Sequence, residues 1–269
     1  MRRVLIGVAV AAAALVAGGC VRQAHYQANA FTWTGAVPGG QWLHIRNMNG
    51  TISVVAGKDA NVEVHASKKW TRGGDAVHFV KSVGPDGVSI CVMYRAGDTC
   101  DPNHVSGNDR RSGLFSFDRH SDARVDFVID VPAGVNLDLG SSNGGVQAAG
   151  TSGTIQARTV NGDINIASHE GALDLSTVNG SVTAALDTLP ATGDVSLKTV
   201  NGSVTVVLPP QLAGSVHCET VSGRITNAFS VTSEGAPSTR TLSGTIGTGG
   251  THHVDLSTVN GNVSLLKHA

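Results

Sequence analysis

The sequence predicts an all-β protein, and more specifically a β-solenoid of short repeated coils. Three observations predict it: a composition rich in glycine and poor in aromatic residues, a turn motif that recurs at short intervals, and apolar residues that alternate with polar ones on both sides of that turn. Glycine accounts for 34 of the 269 residues, and only 4% are aromatic. Such a composition is typical of short strands joined by tight turns.

The recurring motif is Thr-Val-Asn-Gly or a close variant of it. Its turn residues are Asn49–Gly50, Asn143–Gly144, Asn161–Gly162, Asn179–Gly180, Asn201–Gly202, Ser222–Gly223, Ser243–Gly244 and Asn260–Gly261. From Asn143 onward, successive copies are 17 to 22 residues apart. A short period of this kind indicates stacked β units.

The residues around each turn share one pattern, which we number from the Asn or Ser of the turn as position zero. Apolar residues stand at −6 and −4, as in Leu173 and Leu175, and again at +3 and +5, as in Val204 and Val206. This alternation is typical of half-buried strands. Cys218 occupies a −4 position, so we expect it to be buried as a small apolar side chain. The unit around Ser243 lacks apolar residues, and we expect an irregular coil there.

Two architectures fit these units. Because Asn-Gly is a strong hairpin signal, the alternative is an antiparallel hairpin meander. A hairpin needs only the Asn and the Gly, whereas the Thr and Val before them repeat as well. In stacked coils, identical residues form ladders of hydroxyls, amides and methyls, so stacking explains why all four residues of the motif recur. We therefore favour the solenoid.

The domain organisation follows from the chain's ends and its less regular middle. Residues 20–34 are predicted to be a tether, and residues 35–269 a β-strand-repeat domain. Within it, the pattern fades at about residues 66–124, with a long loop expected near residues 97–123. Cys91 and Cys100 lie in that segment, and we predict a disulfide between them because the expected compartment is oxidising.

The N-terminus resembles a bacterial lipoprotein signal peptide over residues 1–19. Arg2 and Arg3 precede a 13-residue apolar run, which is too short to span a bilayer comfortably as a helix. Small residues then lead to Cys20, which such a signal would make the lipidated first residue of the mature protein. In that class an Asp after the Cys favours the inner membrane, and since Val21 stands there, we expect the outer membrane, with a periplasmic or surface face.

Charge and motifs exclude several classes of function. Without residues 1–19, the chain has 17 basic and 20 acidic residues, and this near neutrality argues against a nucleic-acid partner. We identify no catalytic residue, no metal site and no cofactor. His252 and His253 are adjacent, so on a strand they would point to opposite faces. We expect a monomer.

Two weaker candidate sites remain. Asp138, Asp174 and Asp255 all stand at −5, an outward position, and paired carboxylates are the general requirement of glycoside hydrolysis. In a solenoid stacked in chain order, only Asp138 and Asp174 would lie close, about two coils apart. Lys68, Lys69 and Trp70, with Arg72, form a basic–aromatic patch that could touch a sugar or a lipid headgroup. We interpret the acids as a solvated strand face and the patch as a solvated loop.

The chain resembles a bacterial envelope family, a β-strand-repeat domain of unknown function that is labelled a candidate adhesin. The segments that carry the resemblance are Asn47-Met48-Asn49-Gly50-Thr51-Ile52, Val128-Ile129-Asp130-Val131-Pro132-Ala133-Gly134 and the Val-Asn-Gly array. It covers about residues 35–269. The resemblance implies a β-solenoid-like fold and an envelope location, and it brings no catalytic residues.

These observations favour a non-enzymatic envelope lipoprotein with an adhesin-like or structural role. Its expected partners are the membrane, through the N-terminal lipid, and a glycan or another envelope protein. The alternative is a β-helix protein that binds or acts on polysaccharide. A third hypothesis is an accessory lipoprotein of a sensor or transport system.

Overall fold

A computed structural model describes residues 24–73, 77–94, 99–101, 104–106, 121–189, 193–233, 238–248 and 250–268. Cys20 and the signal sequence lie outside these ranges. None of the described residues forms a helix long and apolar enough to cross a membrane.

The chain forms short strands in the described ranges. In order they are β1 (His25–Gly35), β2 (Trp42–Arg46), β3 (Ile52–Ala56), β4 (Val62–Trp70), β5 (His78–Gly84), β6 (Gly87–Met93), β7 (Thr99–Asp101), β8 (His104–Ser106), β9 (Arg124–Val131), β10 (Asn136–Gly140), β11 (Val146–Ser152), β12 (Ile155–Arg158), β13 (Ile164–Glu170), β14 (Leu173–Ser176), β15 (Val182–Leu186), β16 (Val195–Asn201), β17 (Val204–Leu208), β18 (Gly214–Ser222), β19 (Ile225–Asn227), β20 (Val231–Ser233), β21 (Thr241–Ile246), β22 (His252–Asn260) and β23 (Val263–Lys267).

Two large sheets face each other across the core. The first has ten strands in the order β1-β4-β9-β3-β11-β13-β15-β17-β23-β19. The second has eleven in the order β20-β21-β18-β22-β16-β14-β12-β10-β2-β6-β5. Strands β7 and β8 pair separately as a small antiparallel sheet.

The fold is a β-solenoid, as the repeat predicts. The two strands of a repeat unit, such as β14 and β15, lie in opposite sheets, and each pairs in parallel with its equivalent in the next coil. Equivalent residues are in direct register, so that Val182 is paired with Val204. A hairpin meander would instead pair the two strands that flank each turn, and that alternative is wrong.

The coils do not stack in chain order at either end. The last unit, β22–β23, lies between the coil of β16–β17 and the coil of β18–β19. The first unit, β2–β3, lies between β10–β11 and the strands β6 and β9. The units nearest both ends of the sequence are therefore interior coils.

Antiparallel strands complete both ends of the stack. At one end β4 pairs with β9, β1 pairs with β4, and β5 pairs with β6. At the other end β21 pairs with β18, and β20 pairs with β21. These strands cover edges that parallel coils would otherwise leave open to pairing with another chain.

Three predictions from the sequence are wrong at these ends. Most of the predicted tether is strand β1, because Phe31 and Trp33 pack against the core. Ser243–Gly244 is not a turn, since both residues lie inside β21, where Gly244 opposes Val216 of β18. Part of the loop predicted near residues 97–123 is strand, namely β7 and β8.

The core lies between the two sheets and is almost entirely aliphatic. Phe127 is its largest fully buried side chain, and Leu, Ile and Val fill the inward positions of successive coils. Cys218 is fully buried, as its position in the repeat predicts, and burial raises the pKa of its thiol to about 12. A disulfide joins Cys91 to Cys100, with 5.6 Å between the Cα atoms, which confirms the predicted pairing.

Candidate functional site: the turn edge of the solenoid

The turn asparagines form a continuous ladder along one edge of the stack. Each of them except Asn49 donates a hydrogen bond from Nδ2 to Oδ1 of an asparagine in a neighbouring coil, at 2.8–2.9 Å. The members of this asparagine ladder, in spatial order, are Asn49, Asn143, Asn161, Asn179, Asn201 and Asn260. Ser222 of the last coil is paired with Asn260 and ends the row. The amide ladder expected from the repeat is therefore present.

The threonine two positions before each turn is explained by a contact between coils. Thr177 is buried, and its hydroxyl donates to the carbonyl of Gly162 in the next coil at 3.0 Å. The same bond, at 2.8–2.9 Å, recurs for the threonines of four other coils: Thr159, Thr199, Thr220 and Thr258. Each bond supplies a hydrogen-bond donor to the carbonyl of a turn glycine, and this explains why a hydroxyl-bearing residue recurs at this position.

The glycine of each turn is fixed by the close approach of coils. A Cβ atom added to Gly162 would overlap the backbone of Gly144 in the adjacent coil, and Gly202 faces Gly180 in the same way. Any side chain at these positions would push the coils apart. Packing between coils thus accounts for the Thr, the Asn and the Gly of the repeat.

The valine of the repeat has a different environment. Val160, Val178, Val200, Val259 and Val221 follow one another on successive coils, and each is 39–55% exposed. Met48 extends this valine ridge at the first end of the stack, after an interruption at Ser142. The side chains lie outside the core, so packing inside the solenoid does not require an apolar residue here. The ridge is a row of exposed apolar groups beside the polar ladder.

The three candidate carboxylates lie on the outer face of the second sheet, and each contacts a basic side chain. Asp174 pairs with Arg158, and Asp255 with Lys198, both at 2.7 Å and both largely exposed. Because β22 stacks beside β16, Asp255 lies two coils from Asp174, as Asp138 does on the other side. The expectation that only Asp138 and Asp174 lie close was wrong, since it assumed stacking in chain order.

Asp138 differs from the other two because it is only 8% exposed. It pairs with the Arg46 guanidinium and accepts a hydrogen bond from His44 Nδ1 at 2.8 Å. Burial alone raises the pKa of Asp138, but hydrogen bonds from His44 and Arg46 outweigh it and hold the pKa below the usual 3.8. The prediction of a solvated acid is wrong here, because Arg46 and His44 lie on the neighbouring strand β2 and cover the carboxylate.

This cluster was missed, although the sequence contains a signal for it. Arg46, Arg158 and Lys198 all stand at −3, and each pairs with the −5 Asp of the next coil in space. A basic residue at −3 and an acid at −5 of the following unit in the sequence predict the pairs of Asp138 and Asp174. The pair between Lys198 and Asp255 can be predicted only if the order of the coils is known. His44 Nε2 has no hydrogen-bond partner, and Asp86 lies 3.7 Å from it.

The remaining candidates are separated from one another. His252 and His253 point to opposite sides of β22, and His253 Nδ1 contacts the Ser215 hydroxyl. Among the residues that the structure describes, no three His, Cys, Asp or Glu side chains are close enough to hold a metal ion. Lys68, Lys69 and Trp70 end strand β4, so they do not belong to the loop that we expected.

The outer face of the first sheet carries a shallow groove of about 490 Å³. Its floor is a row of small apolar side chains, Val55, Ala149, Ala167 and Ala185, from four adjacent strands. A parallel row of uncharged polar side chains flanks it: Ser53, Gln147, Asn165 and Thr183.

Comparison with known proteins agrees with this architecture. Residues 118–266, more than half of the chain, match the family described as Toastrack DUF4097. The chain belongs to the Toastrack DUF4097 family. The resemblance seen in the sequence is thereby confirmed.

Two solved structures are similar in outline to this Toastrack protein. A candidate cell adhesion protein from Clostridium sporogenes is 13% identical, with a TM-score of 0.46 over 88% of this chain and 99% of that one. A candidate adhesin from Bacteroides fragilis is 10% identical, with a TM-score of 0.32 over 88% of this chain and 96% of that one. Neither likeness carries an argument about function. No curated protein matches the chain.

Proposed function

We propose that the protein is a non-catalytic, adhesin-like component of the cell envelope that binds its partner through the valine ridge. One observation carries this proposal: Val is the member of the repeat that contacts between coils do not explain, yet it recurs in five adjacent coils with its side chain exposed. Contiguous exposed apolar surface on a folded protein commonly marks an interaction site.

The geometry of the ridge suits binding by many small contacts. Neighbouring strands in a sheet are about 4.8 Å apart, so the valine side chains repeat at that spacing on a rigid body. One Val offers little binding energy, but several held in line engage a partner together, without a further entropy cost for each contact. The polar ladder alongside supplies amide groups that orient the partner.

The test of the ridge is a triple substitution, Val160→Thr, Val178→Thr and Val200→Thr. Threonine keeps the branched shape that strands favour and removes the apolar surface. The matched control is Val83→Thr with Val128→Thr, two valines that are more exposed but lie outside the ridge. We expect cells carrying the ridge variant to adhere several-fold less to a surface than cells carrying the control, at equal protein levels. Equal adhesion would contradict the proposal.

We propose that Cys20 carries the lipid that holds the protein on the outer membrane. The sequence supports this through its basic start, short apolar run and small residues before the Cys. Mass spectrometry of the N-terminal peptide should show an acylated Cys20, and Cys20→Ala should release the protein from membranes. Protease digestion of intact cells separates the two faces: cleavage favours a surface adhesin, and protection until permeabilisation contradicts it.

A second candidate, glycan binding, is favoured by the groove on the first sheet. Rows of amides and hydroxyls beside methyl groups match the alternating polar and apolar faces of a sugar chain. Asn165→Ala with Gln147→Ala should weaken retention on a polysaccharide column if this groove binds glycan. Unchanged retention beside a loss of adhesion in the ridge variant would assign binding to the ridge.

A further inference from the structure

A basic and aromatic cluster lies where the first strand begins. The start of β1 is paired with the end of β4, which places His25 opposite Trp70 and Tyr26 opposite Lys69. On the other side of β4, Lys69 is paired with Arg124 at the start of β9. We call Tyr26, Lys69, Trp70, Arg72 and Arg124 the basic–aromatic corner.

Four of the five corner residues lie on strands and Arg72 follows the end of β4; all of them are exposed except Trp70, which is half-buried against the core. Tyr26 is 67% exposed, and Lys69 and Arg72 are also exposed. Beneath them, the Trp70 ring stacks on His25 at 5.4 Å between centroids, and the Lys68 ammonium lies 4.6 Å from the Trp70 centroid. Lys68 also donates to the carbonyl of Val77 at 3.2 Å, which fixes the cation under the indole ring.

The corner has an excess of positive charge. Among the residues that the structure describes, two acids lie within it: Asp126, which pairs with Arg124 at 3.0 Å, and Asp122, which accepts hydrogen bonds from Thr71 and from the Arg72 backbone. Against them stand three exposed basic residues, Lys69, Arg72 and Arg124, so one positive charge is left over among the described residues of the corner. Lys69 and Arg124 oppose each other across the strands, which is an unfavourable like-charge pairing. Asp126 offsets it at Arg124, and an anion near Lys69 would offset it further.

The corner also lies next to the proposed lipid anchor. Four residues lie between Cys20 and His25, and the five residue steps that join them span at most about 17 Å. A domain held so close to a bilayer must meet the headgroups with the part that carries the tether. Tryptophan and tyrosine favour the membrane interface, and basic side chains are attracted to an anionic membrane surface.

We propose that the basic–aromatic corner docks on anionic lipid headgroups and so sets the orientation of the domain on the membrane. This inference rests on the proposed function in one respect, the lipid at Cys20. The asparagine ladder begins beside the corner, where Asn49 accepts a hydrogen bond from the amide of Val125 at 2.8 Å. With the corner on the bilayer, the valine ridge runs away from it for roughly 30 Å, the length of seven coils.

The experiment measures the binding of residues 20–269 with Cys20→Ala, which lacks any lipid, to sedimenting vesicles. One set of vesicles contains phosphatidylglycerol in phosphatidylcholine, and the other contains phosphatidylcholine alone. We expect binding to the anionic vesicles that is lost at high salt, and Lys69→Glu should reduce it at least about five-fold. Lys69→Glu creates an opposite-charge pair with Arg124, so the fold is expected to hold.

The matched control is Lys58→Glu, the same change at an exposed lysine near the opposite end of β4. It should leave binding unchanged. Equal losses in the two variants, or equal binding to both kinds of vesicle, would overturn the proposal. The anchor is tested separately: an acylated Cys20 without vesicle binding leaves the anchor standing and removes the docking surface. An unmodified Cys20 together with vesicle binding would contradict the lipid anchor and leave the docking surface supported.

Discussion

The interior coils and the two ends of the solenoid differ in what determines their structure. Four successive units, from β10–β11 to β16–β17, stack in chain order. Their Asn and Gly residues, and the Thr before them (Ser141 in the first unit), repeat the same contacts. At the ends, β2–β3 and β22–β23 insert between other units, and antiparallel strands form three of the four outermost edges, the fourth being β19. The repeated motif therefore determines the structure of a single coil. The order of the coils in the stack depends instead on which units can pair with a neighbour on both sides.

The end strands lack features that would let another coil stack on them. Strand β19 has only three residues, and Thr241 and Ser243 of the unit after it lie in an antiparallel strand. Unit β22–β23 has the full motif, including Thr258 and Asn260, and its ladder contacts are made on the Asn201 side. Unit β22–β23, which has the full motif, therefore lies in the interior, and the unit of Ser222, whose turn lacks the Asn, ends the stack.

The largest expected effect comes from a charge placed in the unit nearest the C-terminus. Val263→Asp buries a carboxylate between two coils, and we expect a loss above about 4 kcal/mol in the free energy of unfolding, or no folded protein. Ile225→Asp, at the paired position of the end coil β19, should cost less than half as much, because that side chain is only half-buried. Chemical denaturation measures both, and similar losses would contradict the assigned order.

The next effect distinguishes the buried ion pair at the first end from the exposed pairs of the interior coils. Asp138→Asn removes the carboxylate charge from the largely buried pair with Arg46 and should cost about 3 kcal/mol. Asp174→Asn breaks an exposed pair with Arg158 and should cost less than about 1 kcal/mol. Equal costs in urea denaturation would show that Arg46 does not depend on Asp138.

The contribution of Asp138 should also depend on pH. Its folded-state pKa is lowered below the usual 3.8, so the stabilisation is present above about pH 4 and is lost as the pH falls through the folded-state pKa. The stability gap between the wild type and Asp138→Asn should therefore narrow below pH 4. His44 and Asp86 are present in both proteins, so the difference isolates this carboxylate. A gap that stays constant down to pH 2 would contradict the lowered pKa.

Smaller effects are expected within the asparagine ladder. Asn179→Ala removes the bond that it donates to Asn161 and the one that it accepts from Asn201, at a cost of about 1 kcal/mol because the ladder is solvent-exposed. Ser222→Asn should extend the ladder to the last coil and stabilise the protein by about 0.5 kcal/mol. Thermal unfolding measures the stability of both variants. A loss of stability in Ser222→Asn would contradict the expectation that an Asn at this position continues the ladder beyond Asn260.

Local features of the fold were predictable from the sequence, and the contacts between distant segments were not. The alternation around Asn179 and the −4 position of Cys218 depend only on neighbours within one unit, so the pattern shows them. The burial of Asp138 depends on Arg46, which is 92 residues away and reaches it because β2 pairs with β10. The strand β1 was missed because Phe31 and Trp33 are its few apolar residues, and its pairing with β4 is antiparallel and outside the repeat.

The residues of the candidate site could be identified from the sequence, but their exposure, and hence their role, could not. The repetition of Val beside Asn is visible in the sequence, but the exposure of Val160 and its equivalents appears only when the coils are stacked. The sequence does not distinguish the residues that contact the next coil from the residues that remain exposed, because this distinction depends on the contacts that each side chain makes in the stack. The basic–aromatic corner likewise needs the pairing of Tyr26 with Lys69 and of Lys69 with Arg124.

The most direct test of the coil order is a cross-linking measurement on paired cysteines. Thr205 is paired with Ser264 across adjacent strands, whereas stacking in chain order would place it beside Thr226. A thiol cross-linker too short to bridge two coils, about 9.6 Å, should join Thr205→Cys to Ser264→Cys and should fail to join Thr205→Cys to Thr226→Cys. Cys218 does not compete, since it is buried with a raised thiol pKa. Cross-linking of the second pair and not the first would contradict the insertion of β22–β23 between β16–β17 and β18–β19.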